Sequence, residues 1–255
     1  YRVRVLRLAV GIGLATAAAI GLSWTFSFMT PMLVASFLVA PAPRPRVLAL
    51  VAMPLMILGA FLLALGVSAV ALSNPLLAIL GIGLLVFRCF YMMARGTARM
   101  FATWALVGTL LIPVMAVQSM QLALGITVAI FSSGVAAMIV VWLAHALVPD
   151  PPDVEYPAKQ AGGGAADLSA AARFAYTRTL VIMPVMFYIL FTGGTSYLKV
   201  LIFSAILSLS PDLESGKKGG YGLIVTNLVA GVLGIAFYEV LTMCPLLPFL
   251  ITGFV

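Results

Sequence analysis

The feature that most constrains this chain is a succession of long, uninterrupted apolar runs. The stretch 47–71, for example, passes without a single charged side chain. A helix needs roughly 20 apolar residues to cross the ~30 Å hydrocarbon core of a bilayer. Inside that core no water pairs with the backbone, so a spanning segment must be a helix or part of a closed barrel. Barrel strands alternate apolar and polar residues, whereas these runs are continuous, which leaves helices. Composition agrees: 64% of the residues are hydrophobic and 8% charged. A soluble domain carries about 25% charged residues, so no single aqueous core accommodates this excess. The expected fold is an all-α polytopic transmembrane protein with lipid as its solvent.

Runs bounded by charge, Pro or Gly predict spans near 6–22, 28–40, 47–71, 76–94, 100–117, 122–147, 178–192, 197–211, 220–242 and 245–255. That is about ten by the length rule. The first run follows Arg2, Arg4 and Arg7 and has a small-residue stretch at Ala17–Ala19, as a signal peptide would. The apolar segments after it favour a first transmembrane helix. Spans 28–40 and 197–211 are short, and each ends in a proline, Pro41 or Pro211. They are either half-helices or short packed helices. The polar stretch 148–176 reads as a linker, Pro- and Gly-rich at first. Asp167 is then a candidate N-cap for a short helix, 168–176. The expected organisation is a first six-helix repeat over 1–147, the linker over 148–176, and a second repeat over 177–255.

Charge sets the expected orientation. With the N-terminus in the cytoplasm and every span crossing, Arg2, Arg4, Arg7, Arg44, Arg46, Arg95, Arg99, Lys159, Arg173, Arg178, Lys217 and Lys218 all fall inside. Only Arg88 and Lys199 of the 14 basic residues do not. This is a positive-inside pattern. It accounts for the net charge of +7 with no nucleic-acid partner. Cys89 and Cys244 fall near opposite faces and are expected as apolar filler without a disulfide.

The two sides of the linker resemble each other. Arg2 and Arg7 match Arg173 and Arg178, Pro41 matches Pro211, and Pro75-Leu76-Leu77 recurs as Pro245-Leu246-Leu247. A basic loop follows each short span, Arg44 and Arg46 in the first copy, Lys217 and Lys218 in the second. Six spans precede the second copy, so the repeats run parallel, one known way to build a transporter. The chain opens at Tyr1 without a Met, and the second copy stops at Val255 inside its fourth span. The expectation is a longer protein of about twelve spans.

The chain resembles the fusaric acid resistance and aromatic acid exporter family of bacterial inner-membrane proteins. The resemblance is carried by RVLRLAVGIGLATA (4–17), PAPRPR (41–46), LIPVMAVQS (111–119), VWLAHALVPD (141–150) and SYLKVLIFSAILSLSP (196–211). It implies multi-pass insertion in the bacterial inner membrane and export of aromatic carboxylic acids or related toxic organic anions. It also implies a periplasmic membrane-fusion adaptor and an outer-membrane channel as partners. A passive organic-anion channel and a non-transporting scaffold subunit are the alternative readings.

Polar groups within a bilayer are costly, which makes each a functional candidate. Arg88, Tyr91, Arg95 and Arg99 fall on one helical face if the helix continues past Gly96. Such a basic ladder, with one aromatic ring, would gather an organic anion and pair with its carboxylate. The alternative is an Arg88 that snorkels to the interface while the others enforce topology. Glu239 is the single acid within a predicted span, a candidate for proton coupling, or else a structural group near the end of its helix. Lys199, at the outer start of 197–211, is placed to meet an exiting anion or pair with Glu239, or is an ordinary interfacial lysine.

His145 reads as an interfacial cap or helix contact, since one histidine makes no metal site. Trp24, Trp104 and Trp142 suit an aromatic belt. Ala9, Gly13, Ala17 and Gly21 form a small-residue stripe, and Asn227, Gly231, Gly234 and Tyr238 share another face. Both are expected packing seams, and a homodimer is the expected assembly. No Walker A, HExxH or GxSxG pattern occurs. The chain is therefore expected to be neither an ATPase nor another enzyme, and to need no cofactor.

Overall fold

The computed structural model describes residues 2–22, 28–39, 43–71, 74–149, 168–192 and 213–243. Among these the fold is entirely helical: α1 (Arg2–Gly21), α2 (Met29–Val39), α3 (Val47–Ala71), α4 (Pro75–Ala94), α5 (Arg99–Gln118), α6 (Met120–Leu147), α7 (Leu168–Thr192) and α8 (Leu213–Met243). Six of them, α1 and α3 to α7, are long and apolar enough to cross a membrane. The protein is a membrane protein with transmembrane helices.

Several expectations are sharpened or corrected. The short span 28–40 is α2, whose 11 residues extend about 16 Å, roughly half the hydrocarbon core. The separate short helix 168–176 and span 178–192 are one helix, α7, because no Gly or Pro breaks the chain between them. The span expected at 220–242 lies in α8, which starts earlier, at Leu213. Lys217 and Lys218 therefore stand in a helix, not in a loop matching Arg44 and Arg46. The expected spans 197–211 and 245–255, with Lys199, Pro211 and Cys244, lie outside the described residues, as do Trp24 and Asp167.

Two compact units are present, neither continuous in sequence. The first comprises Tyr1–Leu55, Ala129–Lys159 and Thr226–Val255; the second comprises Met56–Val128 and Gln160–Val225. In the first, α1 packs on α2, with Gly11 at the contact and Ala15 and Ala19 buried. A Cβ at Gly11 would lie 2.5 Å from Leu38 Cδ1, 3.2 Å from Val34 Cγ1 and 3.6 Å from Ala144 Cβ. Of the expected Ala9–Gly13–Ala17–Gly21 stripe, Gly13 is buried, Ala9 and Ala17 are half-buried and Gly21 is exposed. On α8, Gly231 and Gly234 are exposed among the described residues, and a Cβ at either meets nothing within 4 Å of them.

The second unit packs α4 against α5 and α7, with the later part of α3. Its core holds Ile82, Val86 and Phe90 of α4, Ala105, Leu106 and Leu110 of α5, and Ile182, Met186 and Ile189 of α7. Small residues let the helices approach, as expected where van der Waals contact drives association in lipid. A Cβ at Gly108 would sit 3.5 Å from the Ala60 carbonyl oxygen. Hydroxyls inside helices donate to the carbonyl four residues back, as Ser68 does to Ala64 at 2.7 Å and Thr109 to Ala105 at 2.7 Å. This satisfies them where water is absent.

Candidate anion-binding site

The candidate site is built on α4. Asn74 caps its start, its side-chain oxygen accepting from the Leu76 N–H at 3.0 Å, and Pro75 occupies the first helical position. Both choices favour a sharp helix start. One face of the helix carries the buried Ile82, Val86, Cys89, Phe90 and Met93. The opposite face exposes Leu77, Leu80, Leu84, Arg88 and Arg95, with Tyr91 half-buried at its flank. The spacing of three, four and seven positions along this face follows from 3.6 residues per turn.

The structure brings Arg88, Tyr91 and Arg95 together. The guanidinium carbon of Arg88 lies 5.7 Å from the Tyr91 ring centroid and that of Arg95 lies 5.9 Å from it. Both fall inside the ~6 Å range of cation–π attraction. The Phe87 ring stacks near Tyr91, with centroids 6.2 Å apart and planes 15° from parallel. Among the described residues, neither guanidinium meets a carboxylate. Each keeps planar N–H donors suited to a bidentate oxyanion. Two guanidiniums beside a Tyr–Phe pair match the two halves of an aromatic carboxylate, which needs a ring partner and a cation.

The ladder does not extend to Arg99. Helix α4 ends at Ala94, and Gly96 (φ 68°) and Ala98 (φ 46°) take left-handed conformations that reverse the chain into α5. Arg99 opens α5, so it is not part of one continuous helical face with Arg88. Glu239 stands exposed on α8, in the first unit. Lys199 lies outside the described residues.

Other cations assigned only to topology have specific partners. Arg178 lies 5.2 Å over the Phe174 ring, which meets buried Phe90 edge-on at 6.5 Å. The four-residue spacing of Phe174 and Arg178 is a local signal that identifies this pair. In the first unit Arg7 is buried and its Nε donates to the Val148 carbonyl oxygen at 3.0 Å, just past the end of α6. Arg44 lies 4.3 Å over the Trp142 ring. These two contacts join residues far apart in the chain, and no spacing rule finds them.

His145 is buried in the last turn of α6, and its Nδ1 pairs with the Val141 carbonyl of its own helix at 2.9 Å, a helix contact of the kind expected. Cys89 is a buried free cysteine within the apolar core. Trp104 packs at the margin of that core. Among the described residues no cluster of His, Cys, Asp or Glu could hold a metal ion.

A family model matches residues 4–144, from α1 to near the end of α6. The matching family carries the description "Protein of unknown function (DUF2955)", with no transport activity attached to it. No curated protein and no solved structure matches the chain.

Proposed function

The chain belongs to the DUF2955 family, and we propose that it is an efflux transporter of aromatic carboxylic acids or related organic anions. The observation that carries this reading is the Arg88–Tyr91–Arg95 group, two guanidiniums around one ring on the exposed face of a membrane helix. A charge in that position is costly unless it has work to do. The resemblance of five sequence motifs to the fusaric acid resistance and aromatic acid exporters supports the same substrate class.

In this reading the protein is a multi-pass component of the bacterial inner membrane with a cytoplasmic N-terminus, following the distribution of Lys and Arg. Two parallel repeats form the transport domain of a protein of about twelve spans. Gly21, the last residue of α1, and Thr192, the last of α7, stand at the same shift as Arg2 and Arg173, which supports the repeat. Glu239 couples export to the proton gradient. A periplasmic adaptor and an outer-membrane channel carry the substrate onward, and the transporter works as a homodimer.

The test is uptake of a panel of labelled aromatic acids into inverted vesicles, with and without a pH gradient. Accumulation that requires the gradient and is lost in Arg88→Ala supports the proposal. Uptake that ignores the gradient makes the protein a passive channel. Absence of any counterflow in proteoliposomes makes it a non-transporting scaffold.

A further inference from the structure

In the first unit the last turn of α6 lies along α1. A Cβ at Gly11 would stand 3.6 Å from Ala144 Cβ, and one turn further the buried Arg7 donates from Nε to the Val148 carbonyl oxygen at 3.0 Å. The Val148 N–H donates to the Ala144 carbonyl at 3.0 Å, so the helical turn continues to the residue that Arg7 holds. His145 stands inside this turn and is 6% exposed. Its Nδ1 lies 2.9 Å from the Val141 carbonyl oxygen. A carbonyl only accepts, so Nδ1 carries the proton and Nε2 of the neutral ring is an acceptor. That atom is buried and has no hydrogen-bond partner among the described residues. A buried polar atom left unpaired is destabilising, and its retention calls for a physical reason.

We propose that Nε2 of His145 is a proton-binding site, and that taking up the proton loosens α1 from the last turn of α6. Imidazole is the side chain that exchanges its proton at about pH 5 to 8, and a proton needs no cavity, only a lone pair. The neutral ring leaves α1 and α6 closed with one unpaired acceptor. The added proton turns Nε2 into a donor, again without a partner among the described residues. It also makes the ring a second buried cation within one turn of the carbonyl that Arg7 holds. Like charges repel strongly where the dielectric is low. Both penalties are relieved when the turn leaves α1 and the imidazolium reaches water. The surroundings do little to offset them. On α1 the described charges are Arg7 and the exposed Arg4, and before α3 come Arg44, seated over Trp142, and the exposed Arg46. Neither α2 nor residues 47–55 of α3 carry a titratable side chain. Tyr238 and Glu239 of α8 are exposed, and the ionisable residues of 150–167 lie outside the described residues. The site stands on the α1–α6 contact and is independent of what the protein transports.

The test uses the full chain, purified without a histidine tag and reconstituted in liposomes. The chain has one histidine, so nitrogen-15-labelled histidine reports a single ring in solid-state magnetic resonance. From about pH 8 to about pH 5 the spectrum is expected to change from the neutral Nδ1–H tautomer to the doubly protonated ring. Over the same range amide exchange in 4–11 and 141–148, corrected for its intrinsic pH dependence, should rise roughly tenfold, the weight of one unpaired buried donor. Both measurements are made on the wild-type protein and need no variant. His145→Gln keeps a polar group that takes up no proton, so exchange in these segments should become independent of pH. Arg7→Gln removes the second charge and should weaken the response. A ring that stays neutral across the range overturns the proposal, as does an Nε2–H tautomer at its alkaline end. So does a ring that gains its proton while exchange stays constant, which makes His145 a structural contact. A His145→Gln protein that responds like the wild type overturns it as well.

Discussion

Replacing Arg88 by Leu separates a functional arginine from a structural one, because the two readings predict changes of opposite sign. Arg88 precedes Arg95 by seven residues, which places its backbone about 10 Å below an interface marked by Arg95. An arginine at the centre of a spanning helix costs ~2.5–3.5 kcal/mol on insertion scales, while Leu gains ~0.3–0.6. Arg88 is shallower than the centre, and its guanidinium lies 5.7 Å from Tyr91, one turn nearer the interface. Snorkelling of this kind reduces the penalty to about 1–2 kcal/mol. The variant also loses a cation–π contact worth ~0.5–1 kcal/mol at an exposed site. The Leu protein is therefore expected to be as stable as the wild type, or more so by up to ~1 kcal/mol, in thermal unfolding in nanodiscs. Transport should respond the other way. Losing charge-assisted hydrogen bonds of ~1.5–3 kcal/mol lowers affinity for a carboxylate by about 10- to 150-fold in vesicle uptake. Arg88→Lys keeps the charge but not the planar fork, so it should fall between the two. A Leu variant that transports like the wild type would refute the assignment. So would one destabilised by more than ~1 kcal/mol, which would give Arg88 a structural role.

Glu239→Gln should leave the protein folded and remove the response of uptake to an imposed pH gradient; a preserved response returns Glu239 to a structural role. Ala98 holds a left-handed conformation at φ 46° between α4 and α5, which costs an L-residue about 1–2 kcal/mol. Ala98→Gly relieves that strain and adds unfolded-state entropy, so a net gain of ~0.5–1 kcal/mol is expected in thermal melts. Gly11→Val should destabilise by ~1–3 kcal/mol through overpacking against Val34 and Leu38. Val34 is stiff and fully buried, whereas Leu38 can turn away at its tip. Melts of the variant unchanged from wild type would show that α1 and α2 separate easily.

The long helices were legible because lipid forces each one to satisfy its own backbone. The length of an apolar run is then the length of the helix, and the spans expected at 47–71 and 76–94 correspond to α3 and α4 within a residue. The face each helix buries was not legible on the same ground. Leu77, Leu80 and Leu84 face outward while Ile82, Val86 and Phe90 form the core, yet nothing in their chemistry separates the two sets. In water the polar residues would mark the outer face; in lipid both faces are apolar. Arg88, Tyr91 and Arg95 were legible as a group because their contacts stay within two turns of one helix. Arg44 with Trp142, and Arg7 with Val148, depend on how distant segments pack and leave no trace in spacing. Arg88 shares its face with exposed leucines. An anion bound there in the single chain is held at the boundary of protein and lipid, where amphipathic aromatic acids already concentrate. A site of that kind needs a ring partner and a fixed cation at the right depth, and α4 supplies both within about two turns of helix.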